Sequence, residues 1–115
     1  MRFSIGIFAV ILFLFSFSVM PVLALSADEL LVMANRNAAK TVGLVHWYME
    51  KRQIPKENLL LVFVTDKEIC SREAYLKKIV PPVRRALEKN PEINAIVTMY
   101  GLPLRINSPG MTKGE

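Results

Sequence analysis

One cysteine and one histidine are all this chain offers to thiol or imidazole chemistry, and that scarcity narrows its function before any fold is considered. A lone Cys70 cannot close an intrachain disulfide, so no disulfide framework compensates for small size. Structural zinc sites draw four ligands mostly from Cys and His, so no metal site is expected, and no cofactor either. Cys70 as a nucleophile would need His46 as its base; the simpler reading is a small apolar side chain, with His46 packing at the edge of a helix. Glycine is also sparse, with 5 in the chain. None falls in a G-x-G-x-x-G or G-x-x-x-x-G-K pattern, which removes the usual phosphate-cradling loops. There is no nucleophile elbow, and the only carboxylate expected right at a strand end is Asp66.

Charge is missing altogether from Phe3 to Met20 ("FSIGIFAVILFLFSFSVM"), which follows a short positive start at Met1-Arg2. Val22 and Ala24 suit the −3 and −1 positions of a signal-peptidase site, so residues 1–24 read as a signal helix cleaved after Ala24. The run is long enough that an uncleaved membrane anchor is the alternative, with residues 3–20 as the only route to a membrane. Either way the protein is expected to be exported, to the periplasm or beyond. The net charge of +5 falls to +4 once Arg2 is removed. A balance that mild points to solvated helix faces, and no nucleic-acid partner is expected.

What remains, Leu25 to Glu115, suffices for one small domain, which by surface-to-volume scaling buries only about 60% of its unfolded surface. Glu29 to Ala34 ("ELLVMA") is short and evenly apolar, as a strand buried on both faces is. Ala38 to Arg52 carries a helical stripe, Ala38, Val42, Val45 and Met49, and stops before Pro55. Leu59 to Thr65 ("LLLVFVT") is a second buried strand. Ser71 suits the N-cap of the next helix, whose stripe of Leu76, Ile79, Val80, Val83 and Leu87 is interrupted by Pro81-Pro82. A proline inside a helix costs about 3 kcal/mol, so a kink is expected there, with the prolines opening a second helical piece. Ala95 to Tyr100 ("AIVTMY") is the third strand.

Strand, helix, strand, helix, strand with short connections predicts an α/β domain over residues 25–106: a three-stranded parallel sheet in βαβαβ arrangement, a Rossmann-like, doubly wound start. The first strand belongs in the middle and the third beside it, with one helix on each face. Residues 107–115 read as a disordered tail. Two helices leave the outer strands half bare, which predicts self-association, a partner, or a missing C-terminal domain.

Ligands of open parallel sheets bind beyond the carboxyl ends of the strands. That edge collects Asn35, Arg36 and Asn37, then Thr65 and Asp66, then Tyr100 and Gly101. The functional reading is a strand-end pocket. The plain alternative makes Asn37 a helix cap, Asn35 a turn former and Arg36 a solvated side chain. Trp47 falls nearly opposite Val45 and Met49 on the helical wheel, between Lys40 and Lys51, and is a candidate partner contact. The basic residues Lys77, Lys78, Arg84, Arg85 and Lys89 lie on the polar side of the later helix and read as a solvated face.

Four stretches together resemble a family of exported bacterial proteins of uncharacterised function: "DELLVMANRN" (Asp28–Asn37), "YMEKRQIPKENLLLV" (Tyr48–Val62), "EICSREAYLKKIVPPVRRALE" (Glu68–Glu88) and "IVTMYGLPLRI" (Ile96–Ile106). The resemblance covers nearly all of the expected mature chain. It implies no chemistry, and because members of that family are longer, it implies that these residues are an N-terminal region. The α/β start is also loosely similar to caspase- and gingipain-type peptidase domains, which carry a His-Gly after a middle strand and a Cys after the next. Here the third strand ends Tyr100-Gly101, without the histidine. The expectations are therefore an exported α/β protein without a complete active site, or a cell-envelope binding and assembly module, or part of a hydrolase whose catalytic residues lie elsewhere.

Overall fold

The computed structural model describes residues 24–108, so the expected signal helix, Ala24 apart, and the tail from residue 109 lie outside the described residues. Strand β1 (Leu30–Asn35) runs through the centre of a parallel sheet, with β2 (Leu59–Val62) on one side and β4 (Ala95–Thr98) on the other. Val32 pairs with Leu59, and Leu30 with Ala95, so the two registers overlap on the middle of β1. The central position accords with burial: Leu31, Val32 and Ala34 are buried, on both faces of the strand.

Each face receives one helical layer. Helix α1 (Thr41–Arg52) lays Val45 and Met49 on Val32 and Ala34, with Ile54 closing the cluster. The opposite face packs Met33, Leu60 and Val62 against Cys70, Ala74, Tyr75, Ile79 and Val83. These last belong to β3 (Ile69–Cys70), α2 (Arg72–Ala74), a π-helical turn (Tyr75–Ile79) and α3 (Val80–Lys89). Ser71 caps α2 as its residue type suggests, accepting from the Ala74 N–H at 3.1 Å. The expected disturbance around Pro81-Pro82 takes the form of the wide turn just before them. Prolines offer no N–H to the preceding turn and crowd its carbonyls, so the helix widens first and then continues with both prolines in the first turn of α3.

One expectation needs correction: the first helix begins at Thr41 rather than Ala38, after turns that belong to the site described below. Beyond the three expected strands, Arg105–Ile106 forms β5, which pairs in parallel with β3 as a second, two-stranded sheet. Strands this short leave no periodicity to read. The ladder is held by the N–H groups of Leu104 and Arg105 on the Glu68 carbonyl, and of Asn107 on that of Cys70. Helix α3 lies over β2, so the same face of β4 is uncovered, with Ile96 39% exposed. Among the described residues no helix is long and apolar enough to cross a membrane.

At the amino end of the sheet, the N–H and hydroxyl of Ser26 both donate to the Glu29 carboxylate, which also accepts from the Asn94 side chain. These bonds, the backbone N–H of Ser26 first, hold the Glu29 carboxyl below its ordinary value of 4.5. A depressed carboxyl stabilises the fold above its ordinary value and loses that contribution as pH falls through the folded one. The urea midpoint of the wild type should therefore fall more steeply in acid than that of Glu29→Gln. Parallel midpoint-against-pH curves for the two proteins would refute the assignment.

Candidate functional site

Asn35 closes β1 with its side chain fully buried. Its Nδ2 donates to the carbonyls of Val64 (3.0 Å), Thr65 (3.1 Å) and Gly101 (2.9 Å). Its Oδ1 accepts from the backbone N–H of Asn37 (3.1 Å) and Val64 (3.3 Å). One amide therefore joins the outgoing ends of all three strands of the sheet, and with two N–H bonds for three acceptors it shares one of them. It is a clamp inside the strand-end edge, not a group lining a pocket.

Asn37 does not cap a helix. Its Nδ2 donates to the Val64 carbonyl at 2.8 Å, which leaves the first turn to be built by Ala38 N–H on Asn35 O and Thr41 N–H on Ala38 O. That bond turns the Asn37 amide toward the neighbouring strand's extension, and α1 begins at Thr41 without a side-chain cap. Thr41, buried, sends its hydroxyl to the Tyr100 carbonyl at 2.7 Å. Sequence reasoning missed Thr41 because a threonine within an apparent helical stripe shows no sign of a distant acceptor. It also missed Asn58, a buried residue before β2 that donates to the Asp28 carbonyl at 3.0 Å. In both cases the available signal was a small polar residue next to a buried strand or stripe. Arg36 is exposed, its guanidinium 5.8 Å from the centre of the Phe63 ring.

The remaining strand-end candidates do share a cavity. Asp66, Tyr100 and Gly101 line a groove of about 530 Å³ between the carboxyl edge of the sheet and the β3–β5 ladder. Its apolar lining includes Met33, Cys70, Tyr75 and Leu102; Thr98 of the uncovered β4 also borders it. Glu68 and Arg105, joined by an ion pair of 3.0 Å, stand at its rim. Asp66 forms no ion pair among the described residues. Thus the sequence-level pocket divides in two: Asn35 and Asn37 build the edge, while Asp66, Tyr100 and Gly101 face the groove.

Cys70 and His46 are not a catalytic pair. Cys70 packs in the core on the α3 side of the sheet and its thiol donates to the Ser71 carbonyl at 3.1 Å. His46 is exposed on α1, across the sheet. The basic residues of the later helical run are partly compensated, since Lys77 sits 2.7 Å from Glu73. That bond holds the Glu73 carboxyl low and the Lys77 amine high. Trp47 is 57% exposed on the outer side of α1.

No protein-family model matches this chain, and no match was found among curated proteins or solved structures. The α/β sheet and the groove are therefore the ground on which function is argued.

Proposed function

We propose that this protein is an exported α/β domain with a Rossmann-like, doubly wound start, and that it binds a small organic ligand in the groove at the carboxyl edge of its sheet. The observation that carries this reading is the coincidence of a cavity of about 530 Å³ with that edge, where ligands of open parallel sheets are met. The apolar lining from Met33, Tyr75 and Leu102 suits a hydrophobic body. Asp66, free of ion pairs among the described residues, suits a hydrogen-bond donor or a cationic group. The resemblance to exported proteins of uncharacterised function and the apolar run of residues 3–20 support placement outside the cytoplasm. The role assigned to the groove is binding; the lone thiol and imidazole lie on opposite sides of the sheet and do not act as a pair.

Thr98→Trp tests it. Thr98 is an exposed groove residue on an edge strand, so an indole there fills the cavity at small cost to the fold. In a thermal-shift screen of small organic amines and neutral metabolites, compounds that raise the wild-type Tm should leave Thr98→Trp unmoved. Equal shifts in both proteins would place binding elsewhere. A second reading, a cell-envelope binding and assembly module, is favoured by the exposure of Trp47.

A further inference from the structure

We propose that the outer face of α1 is a self-association surface on which two copies of this chain pair antiparallel about a two-fold axis. The first indication is Gly43, which has ordinary helical geometry in the first turn of α1. A Cβ built there would meet nothing within 4 Å. Glycine weakens a helix relative to alanine, and nothing inside the fold requires it at this position. What the missing side chain does allow is close approach from outside. Around this notch the surface is apolar where solvent would favour polarity: Leu44 is 44% exposed and Trp47 57%.

The order of residues along the stripe says what fits it. Lys40, the residue just before α1, and Gly43, Trp47 and Glu50 within it follow one another at helical spacing, on the side opposite the buried Val45 and Met49, and all four are exposed. Gly43 and Trp47 lie equally far from Val45, and so do Lys40 and Glu50. When two such helices cross antiparallel at the level of Val45, each Trp47 meets the Gly43 notch of the other copy. In the same register each Lys40 meets a Glu50, twice over by symmetry. Lys51 comes level with Ala39, one residue from Lys40, and lies farther from the centre of the stripe than Glu50 does. A parallel pair would instead set Lys40 against Lys40 and Trp47 against Trp47. The stripe is thus complementary to itself in one orientation, which is the requirement for a two-fold interface. One helix face is at the small end of protein interfaces, so a concentration-dependent equilibrium is expected. The inference is independent of the groove.

Sedimentation velocity over a concentration series, on the chain recovered from exporting cells, tests it. Trp47 is the one tryptophan, so its emission reports burial of this face directly and should move to the blue as the dimer forms. Lys40→Glu and Glu50→Lys should each weaken association by on the order of tenfold, because two attractions become two repulsions. An equimolar mixture of the two variants should associate again, since all the carboxylates then face amines. Gly43→Leu should abolish association while raising Tm, because leucine is the better helix former and has open space in the isolated copy. A wild type that is monomeric at every concentration overturns the proposal, as do single charge variants that associate like the wild type. A mixture that does not recover association also overturns it. A Trp47 shift that appears only when another envelope protein is added would assign the face to a different partner and equally reject a second copy as its occupant.

Discussion

Asn35→Ala is expected to lower stability by about 3–4 kcal/mol, enough to remove most of the stability of a small domain whose total lies toward the lower end of about 5–15 kcal/mol. The wild-type amide serves five backbone groups at once: the carbonyls of Val64, Thr65 and Gly101 and the N–H groups of Asn37 and Val64. The Val64 carbonyl keeps a partner in the variant, because Asn37 also donates to it. The others lose a bond at a buried or part-buried position, and each buried unsatisfied group costs about 1–3 kcal/mol. Asn35→Asp separates this from the effect of a cavity. It keeps the volume but turns a donor into an acceptor aimed at three carbonyl oxygens, so at neutral pH it should be at least as damaging as alanine. Urea unfolding followed by circular dichroism would measure both. A cost below about 1 kcal/mol for either variant would mean the three strand ends hold together without the clamp.

Gly101→Ala should cost about 3 kcal/mol by a different route. Gly101 has φ +93°, where L-residues are strained. A Cβ there would overlap the Cβ of Ala38 and stand 2.9 Å from the Thr41 hydroxyl. Neither neighbour can yield easily, since Ala38 has no rotamer to change and Thr41 is tied to the Tyr100 carbonyl. Strain and overpacking therefore add. Because the Gly101 carbonyl is also an acceptor of Asn35, the two substitutions touch one network, and the double variant should cost less than the sum of the singles. Strict additivity in that cycle would show that they act separately. Ala38→Gly in the Gly101→Ala background should recover part of the loss by removing one of the two collisions.

The sheet was legible because its strands are buried on both faces, and a continuous apolar run such as "LLLVFVT" has few other uses in a small domain. The strand–helix–strand connectivity of a doubly wound start placed "ELLVMA" at the centre, with the third strand beside it. Helix α1 was legible through Val45 and Met49, and so was the outward direction of Trp47. The proline interruption was legible as a disturbance, but its form as a π-helical turn was not.

The site was legible as a location and not as an arrangement. Residue order alone brings Asn35, Asn37, Asp66, Tyr100 and Gly101 to one edge, because parallel strands all leave the sheet at the same end. Which of them are structural is a matter of partners remote in sequence: Val64 and Gly101 for Asn35, Val64 for Asn37, Tyr100 for Thr41. Asparagine caps a helix when its side-chain oxygen meets local N–H donors; here the amide is oriented instead by its Nδ2 bond to a carbonyl on β2's extension. By itself, the amino-acid order determined a parallel α/β sheet with β1 at its centre, through backbone geometry and the burial of apolar runs. Only the tertiary structure decided that the loop after β1 is a hydrogen-bonded clamp and that the groove opens beside it. A side chain's hydrogen-bond partner is set by what the fold carries to it, and not by its neighbours in the chain.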